Sequence, residues 1–263
     1  MDGPRILHID IETAPILAWV WGLFKQNVAI GQIHKDWHIL CWAAKWHKEA
    51  GVYSDALWRH TVSGKWTKGA EEKIVRSVWR MLDEADIVVG HNADRFDVSK
   101  INAKFYEYGM LPPSPYRTVD TLKVARNRFG FPSNKLDYII QLKAKGAKLK
   151  TDFELWIDVM TGKPKACKRM MDYNMEDVRI LEDVYTDMLP WITNHPNLGV
   201  YNDGNDTQCS ACGSTHIHKR GFSYTNLGKY QRIVCIDCGH WDKLPTNLLP
   251  VKKRKELARA IPK

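Results

Sequence analysis

The sequence predicts an α/β fold with a small β module behind it, and three observations carry that reading. An apolar strand-like run is followed by two further strands joined by a turn too short for anything but an antiparallel pair. Helical and strand-like segments then alternate, which suits a mixed sheet with helices on its faces. Two Cys-x-x-Cys pairs follow near the C-terminus. With 263 residues the chain has room for one sizeable domain and one small one.

The elements follow in order. Ile6–Ile11 is the first strand. Residues 14–36, with Trp19, Trp21 and Phe24, form a connection that fits neither period. Ile39–Trp46 and Gly51–Trp58 alternate as strands, with His47–Ala50 as their turn. Gly64–Gly69 is a loop. Glu71–Ala85 is a helix, because Ile74, Val75, Val78, Met81, Leu82 and Ala85 recur at helical spacing. Asp86–Gly90 is a short buried strand. A helix runs from Asp97 to Tyr108 and stops at Gly109, and Pro112, Pro113 and Pro115 mark a loop. Tyr116–Asp120 is a strand. Thr121–Phe129, Lys135–Lys143, Asp152–Met160 and the long Ala166–Met188 are helices. The first domain therefore covers 1–193, a linker 194–206, the cysteine module 207–248 and a basic tail 249–263.

With 44% hydrophobic and 26% charged residues, the composition is that of an ordinary globular protein. The longest apolar run, Ala14–Phe24, is broken by Pro15 and is too short to span a bilayer. No basic segment followed by an apolar core opens the chain, so the expected location is intracellular and cytoplasmic, where disulfides are rare. The net charge of +9 favours polyanionic partners such as nucleic acid. From Val200 onward, 11 Lys/Arg stand against 5 Asp/Glu, so +6 of the +9 lies in the C-terminal quarter.

Four of the six cysteines are explained together. Cys209-x-x-Cys212 and Cys235-x-x-Cys238 are two knuckles 22 residues apart, and paired thiolates supply the four tetrahedral ligands that one structural Zn²⁺ requires. The arrangement looks like a zinc ribbon with strands between Tyr224 and Ile236, and His216, His218 and His240 are spectators once four cysteines are present. Lys219, Arg220, Lys229 and Arg232, with the tail Lys252–Lys255, fit phosphate contact or a solvated face; the ribbon grips nucleic acid or a partner protein. Cys41 reads as core, and Cys167 has no evident role.

The remaining chemistry is carried by carboxylates. In His8-Ile9-Asp10-Ile11-Glu12-Thr13, residues two apart on a strand share a face, so Asp10 and Glu12 project together and repel unless a hard cation such as Mg²⁺ lies between them. Asp97, in Gly90-His91-Asn92-Ala93-Asp94-Arg95-Phe96-Asp97, stands at a strand-to-helix junction, where open α/β sheets gather ligands; Asp94 competes with it, and either serves equally as a helix cap. Tyr173 and Asp177 are four apart on the long helix and share a face that also carries apolar residues. Asp120 reads as a helix cap.

The ordered trio Asp10-x-Glu12, Asn92-x-x-x-Phe96-Asp97 and Tyr173-x-x-x-Asp177 resembles the three motifs of the DEDD exonuclease superfamily, in its DEDDy branch, over residues 5–189. The resemblance implies a ribonuclease-H-like fold, a mixed five-stranded sheet with three antiparallel strands first. The segment Ala14–Asn27 is similar to a Trp-rich continuation in phage and bacterial members, whose location would be the host cytoplasm if phage-encoded. It further implies two Mg²⁺ or Mn²⁺ ions, with Asp10, Glu12 and Asp177 on one, Asp10 bridging, and Asp97 supporting the second through water. Tyr173 would position the attacking water. Asn92, beside His91, would contact substrate or brace the loop, and Trp19, Trp21 and Phe24 are core or stack on terminal bases.

The expected function is a 3′–5′ exonuclease acting on DNA ahead of RNA and releasing nucleoside 5′-monophosphates, with replication or repair proteins as partners. A non-catalytic nucleic-acid-binding module and a structure-specific endonuclease on the same fold are the alternatives.

Overall fold

The computed structural model describes residues 3–143, 151–202 and 207–257; positions 203–206 of the expected linker and 258–263 of the basic tail lie outside them. The chain divides into two compact units, Arg5–Tyr185 and Met1–Pro4 with Thr186–Lys263. That division falls inside the longest helix, eight residues before the boundary read from the sequence.

In the larger unit, β1 (Ile6–Thr13) is followed by β2 (Leu17–Ala18), β3 (Ile33–Lys35), β4 (Ile39–Trp46) and β5 (Tyr53–Ala56). Then come α1 (Lys68–Asp83), β6 (Ile87–Gly90), α2 (Asp97–Glu107), β7 (Arg117–Asp120), α3 (Thr121–Arg128), α4 (Leu136–Leu142), α5 (Phe153–Met160) and α6 (Pro164–Met188). The main sheet has five strands in the order β5-β4-β1-β6-β7. β1 and β5 run antiparallel to β4, while β6 lies parallel to both β1 and β7.

Alternation along β1 sorts its side chains. Leu7, Ile9 and Ile11 enter a core with Ile74, Val75 and Val78 of α1 and Ile101 and Phe105 of α2. His8, Asp10 and Glu12 take the opposite face. On that side a second core joins Leu40, Cys41 and Ala56 to Leu155 and Val159 of α5 and Met170 and Tyr173 of α6. β4 is buried along its whole length, as a strand covered on both faces must be.

Caps and close approaches fix the ends. Thr67 Oγ1 accepts from Ala70 N, which starts α1 three residues before the expected Glu71. Glu71 is fully buried and accepts from Ile39 N at 3.0 Å, Trp66 Nε1 at 2.9 Å and the Tyr108 hydroxyl at 2.9 Å, with Lys104 Nζ at 3.2 Å. Burial, and then that carboxylate, raise the Tyr108 phenol. Gly162 (φ +80°) lies so close to the loop after β5 that a Cβ there would meet Ser63 O at 2.5 Å, which seats the start of α6.

Residues 14–36 form a hairpin in which Leu17 pairs with Lys35 and Ala18 with Ile33. Trp19, Trp21 and Phe24 are 71%, 97% and 84% exposed, so they belong to no core. Their apolar side chains face outward, and for that reason no burial period marked the segment.

In the smaller unit, β8 (Ile217–Thr225), β9 (Gly228–Cys235) and β10 (Trp241–Asn247) form an antiparallel sheet in the order β10-β9-β8, followed by α7 (Val251–Glu256). The stretch expected to be a plain linker contains one short 3₁₀ turn, Leu198–Tyr201, and another, Leu189–Trp191, precedes it.

Candidate active site

Asp10 and Glu12 stand one pleat apart at the carboxyl end of β1, and α6 crosses that face. Ligand oxygens of Asp10, Glu12 and Asp177 lie within 4.8 Å of one another. Asp177 is buried and the other two are partly exposed, so the cluster opens on one side. Three carboxylates this close repel one another, and a hard divalent cation among their oxygens relieves the repulsion. The donor set therefore fits Mg²⁺ or Mn²⁺.

Asp10 is held by a residue that the sequence reading passed over. Asn174, fully buried, donates through Nδ2 to Asp10 Oδ2 at 2.6 Å and to the Asp10 carbonyl at 3.3 Å. The available signal was an amide between Tyr173 and Asp177 on the inward side of a helix, where a polar group is costly unless bonded. Tyr173 is buried one turn before Asp177, with its ring edge-on to Trp156 at 6.4 Å between centroids.

Asp97 occupies a different position from the three clustered acids. It is the first residue of α2, and its Oδ1 accepts from Ile11 N at 3.0 Å, on the backbone link between Asp10 and Glu12. Burial pushes its carboxyl up to about 7, against the pull of the Ile11 N–H, and nearby Asp120 adds to the rise. The competing Asp94 instead pairs with Lys123 Nζ. Burial works to raise the Asp94 carboxyl, but the hydrogen bonds from Lys123 and Thr118 outweigh it and leave it below the usual range.

The loop between β6 and α2 is braced throughout. Gly90 is required, because a Cβ would sit 2.4 Å from that of Ala93. His91 bridges Thr121 Oγ1 at 2.9 Å and the Asn134 carbonyl at 2.8 Å. Asn92 adopts φ +78° and donates its backbone N–H to Asp120 Oδ1 at 2.9 Å. The same Asp120 oxygen caps α3 by accepting from Leu122 N and Lys123 N. Its Oδ2 is buried with no hydrogen-bond partner among the described residues.

Below the carboxylates, on the same β1 face, His8 Nε2 meets His47 Nδ1 at 3.2 Å, and His47 Nδ1 lies 3.2 Å from Glu182 Oε1 on α6. Tyr185 packs edge-on against both rings. Burial, reinforced for His8 by its histidine and lysine neighbours, lowers both imidazoles, so they are neutral bridging groups. Metal-ligating atoms are close here too, but Glu182 Oε2 is paired with Lys45 at 2.5 Å and Oε1 accepts from Lys48 N at 2.6 Å. A lysine ammonium at the centre disfavours a second cation, and the group reads as a polar clamp between β1, β4 and α6.

In the smaller unit the four knuckle sulfurs converge within 4.8 Å, with Cys209–Cys238 and Cys212–Cys235 each at 3.6 Å. A tetrahedron with Zn–S bonds of about 2.3 Å has edges of about 3.8 Å, so the set fits one zinc ion. Hydrogen bonding from Cys238 lowers the Cys209 thiol to about 5, and donating that bond raises Cys238. Burial pushes Cys212 up to about 12. His216 pairs with Asp237, and His240 packs against the Leu189 carbonyl and Asp242, so both are engaged elsewhere.

The comparisons agree with this architecture. The RNase_H superfamily family model matches residues 59–189. Among solved structures, the chain is similar to the family B DNA polymerase from the hyperthermophilic archaeon Pyrobaculum calidifontis, at 16% identity and a TM-score of 0.51. The alignment covers 71% of this chain and 25% of that one. No curated protein matches the sequence. The larger unit therefore has the ribonuclease-H-like fold, and the four-cysteine sheet is compatible with a zinc ribbon. No described helix is long and apolar enough to cross a membrane.

Proposed function

We propose that this chain is a metal-dependent 3′–5′ exonuclease that hydrolyses phosphodiester bonds of DNA ahead of RNA and releases nucleoside 5′-monophosphates. The observation that carries the reading is the convergence of Asp10, Glu12 and Asp177 from a strand end and a helix 165 residues away in sequence. The ribonuclease-H-like fold supports nucleic-acid hydrolysis in general. The ordered motifs, with Tyr173 one turn before Asp177, support the DEDDy form of it.

Asp10, Glu12 and Asp177 would hold one divalent ion, and Asp10 a second that Asp97 would support through water. When bound, such a pair supplies an activated water and neutralises charge on the leaving oxygen. The chain's own groups do the rest. Asn174 fixes the Asp10 carboxylate in one orientation. Asp97 holds the backbone between the two β1 acids through Ile11 N. Tyr173 positions the attacking water. The Cys209, Cys212, Cys235 and Cys238 thiolates would hold one zinc that keeps the small sheet folded.

The test is a digest of 3′- and 5′-labelled DNA and RNA oligomers with Mg²⁺, Mn²⁺ or EDTA. Expected are shortening from the 3′ end, abolition by EDTA, and loss of activity in Asp10→Ala and Asp177→Asn with the fold retained. Cleavage that ignores EDTA, or that starts at the 5′ end, refutes the proposal. Cutting of circular single-stranded DNA would replace it with an endonuclease.

A further inference from the structure

Cross-strand register sorts the residues of the small sheet into two faces. Trp241 of β10 pairs with Val234 of β9, Lys243 with Arg232, and Asn247 with Tyr230, so Trp241, Lys243, Arg232 and Tyr230 share one face. Asp242 pairs with Ile233 and takes the other, where its carboxylate is engaged by Ser210 and His240. The first face thus gathers cations and rings and turns its acid away.

Those groups are stacked on one another. The Arg232 guanidinium carbon lies 4.8 Å from the Trp241 ring centroid and that of Arg220 5.8 Å, while Lys243 Nζ lies 4.6 Å from the Tyr230 ring. Arg232 Nε also donates to the Arg220 carbonyl at 3.0 Å. A strand irregularity between Lys219 and Phe222 places Gly221 at φ +66°, and the Arg232 fork lies against it, where a Cβ would come within 3.2 Å of Nη2. Arg220, Arg232, Trp241 and Lys243 are all exposed. Ordering planar guanidiniums over an indole on an outward face costs side-chain entropy.

We infer that this face binds single-stranded nucleic acid. Planar rings and guanidiniums offer platforms on which unpaired bases stack, while the same cations contact backbone phosphates. A duplex hides its base faces and offers only the phosphates. A protein partner of acidic character would use the charges but leave the stacked planes without a role. This site lies apart from the carboxylates in sequence and chemistry, and it stands whether or not they cleave.

The test uses the full chain carrying Asp10→Ala, so that bound strands survive, and fluorescence anisotropy with a labelled oligothymidylate and a duplex of equal length across a salt titration. The expected result is preference for the single strand. Trp241→Ala weakens binding at least about fivefold, the equivalent of about 1 kcal/mol for one stacked base. Arg232→Ala with Lys243→Ala reduces the salt slope by about 0.7 for each cation removed. Lys219→Ala with Lys229→Ala, an equal loss of charge on the other face, weakens binding less than the Arg232 and Lys243 pair does. Zinc content reports whether each variant is folded, and Trp241→Phe, which keeps a ring, retains affinity if the alanine variant loses its metal. Equal affinity for duplex, equal weakening by the opposite-face pair, or unchanged binding in zinc-loaded Trp241→Ala each overturns the inference.

Discussion

Replacing Asn174 with alanine isolates the orientation of Asp10 from every other property of the site. The amide is fully buried, and its Nδ2 lies 2.6 Å from Asp10 Oδ2. A hydrogen bond to a charged group contributes about 1.5–3 kcal/mol. If all of that orients the carboxylate for the reaction, cleavage slows by about tenfold to about 150-fold, at about 1.4 kcal/mol per decade. Because the amide touches a proposed metal ligand and not the substrate, the loss is expected to fall on metal dependence. The variant needs more Mg²⁺ for half-maximal rate, and high Mg²⁺ restores much of it by imposing the carboxylate pose itself. Asn174→Asp gives the complementary signature. A further carboxylate beside Asp10 lowers the melting temperature in Mg²⁺-free buffer, and added Mg²⁺ raises it again. The assay is single-turnover hydrolysis of a 3′-labelled oligonucleotide across a Mg²⁺ titration, with thermal melts at each end of the range. An Asn174→Ala protein whose Mg²⁺ dependence matches the parent refutes the reasoning.

Asp97→Asn keeps an oxygen for the Ile11 N–H and so retains the fold while losing activity, whereas Asp97→Ala orphans that buried donor and costs about 1–3 kcal/mol by urea denaturation. Equal stability of the two variants would show that the contact is not formed. Trp21, at 97% exposure, should tolerate alanine within about 0.5 kcal/mol. Trp42, buried against α1 with its Nε1 bonded to the Ile74 carbonyl, should lose about 3–5 kcal/mol in the same denaturation experiment. Elemental analysis should find one zinc per chain, and Cys209→Ser should release it and abolish amide protection in 217–247 while 5–185 stays protected; a zinc-free preparation with that sheet intact would contradict the assignment.

The strands were legible where burial imposes a period. β4 is an apolar run covered on both faces, and its bounds read directly from the sequence. α1 begins earlier than its apolar period because the signal is a cap, Thr67, set before Lys68 and Gly69, which carry no periodicity. β5 ends at Ala56 because Leu57 is buried within a 3₁₀ turn, and an apolar residue in such a turn looks like the next residue of a strand. The hairpin over 14–36 defeated both templates because its apolar groups are exposed. At the site, two acids on one strand face follow from alternation alone. The choice between Asp94 and Asp97 does not, since it is made by a backbone N–H 86 residues away. Asn174 was illegible for the same reason: its partner lies 164 residues off.

The face of β1 that carries the acids cannot be packed by an ordinary apolar helix. His8, Asp10 and Glu12 alternate along it, and each needs a polar counterpart once covered. α6 supplies them on one side: Asn174 to Asp10, Asp177 to the carboxylate cluster, and Glu182 to the His47–His8 pair. Apolar packing alone would allow a helix to settle at neighbouring positions with small loss. These ties are unlike one another, so a slide of one turn would break the Asn174–Asp10 bond and carry Asp177 away from the β1 acids. A one-residue slip of β1 is worse still, because it would turn Leu7, Ile9 and Ile11 toward the polar side of α6. The contacts that fix the strand–helix register are therefore the ones that assemble the cluster. A chain that folds with these ties in place has already brought its three carboxylates within reach of one cation.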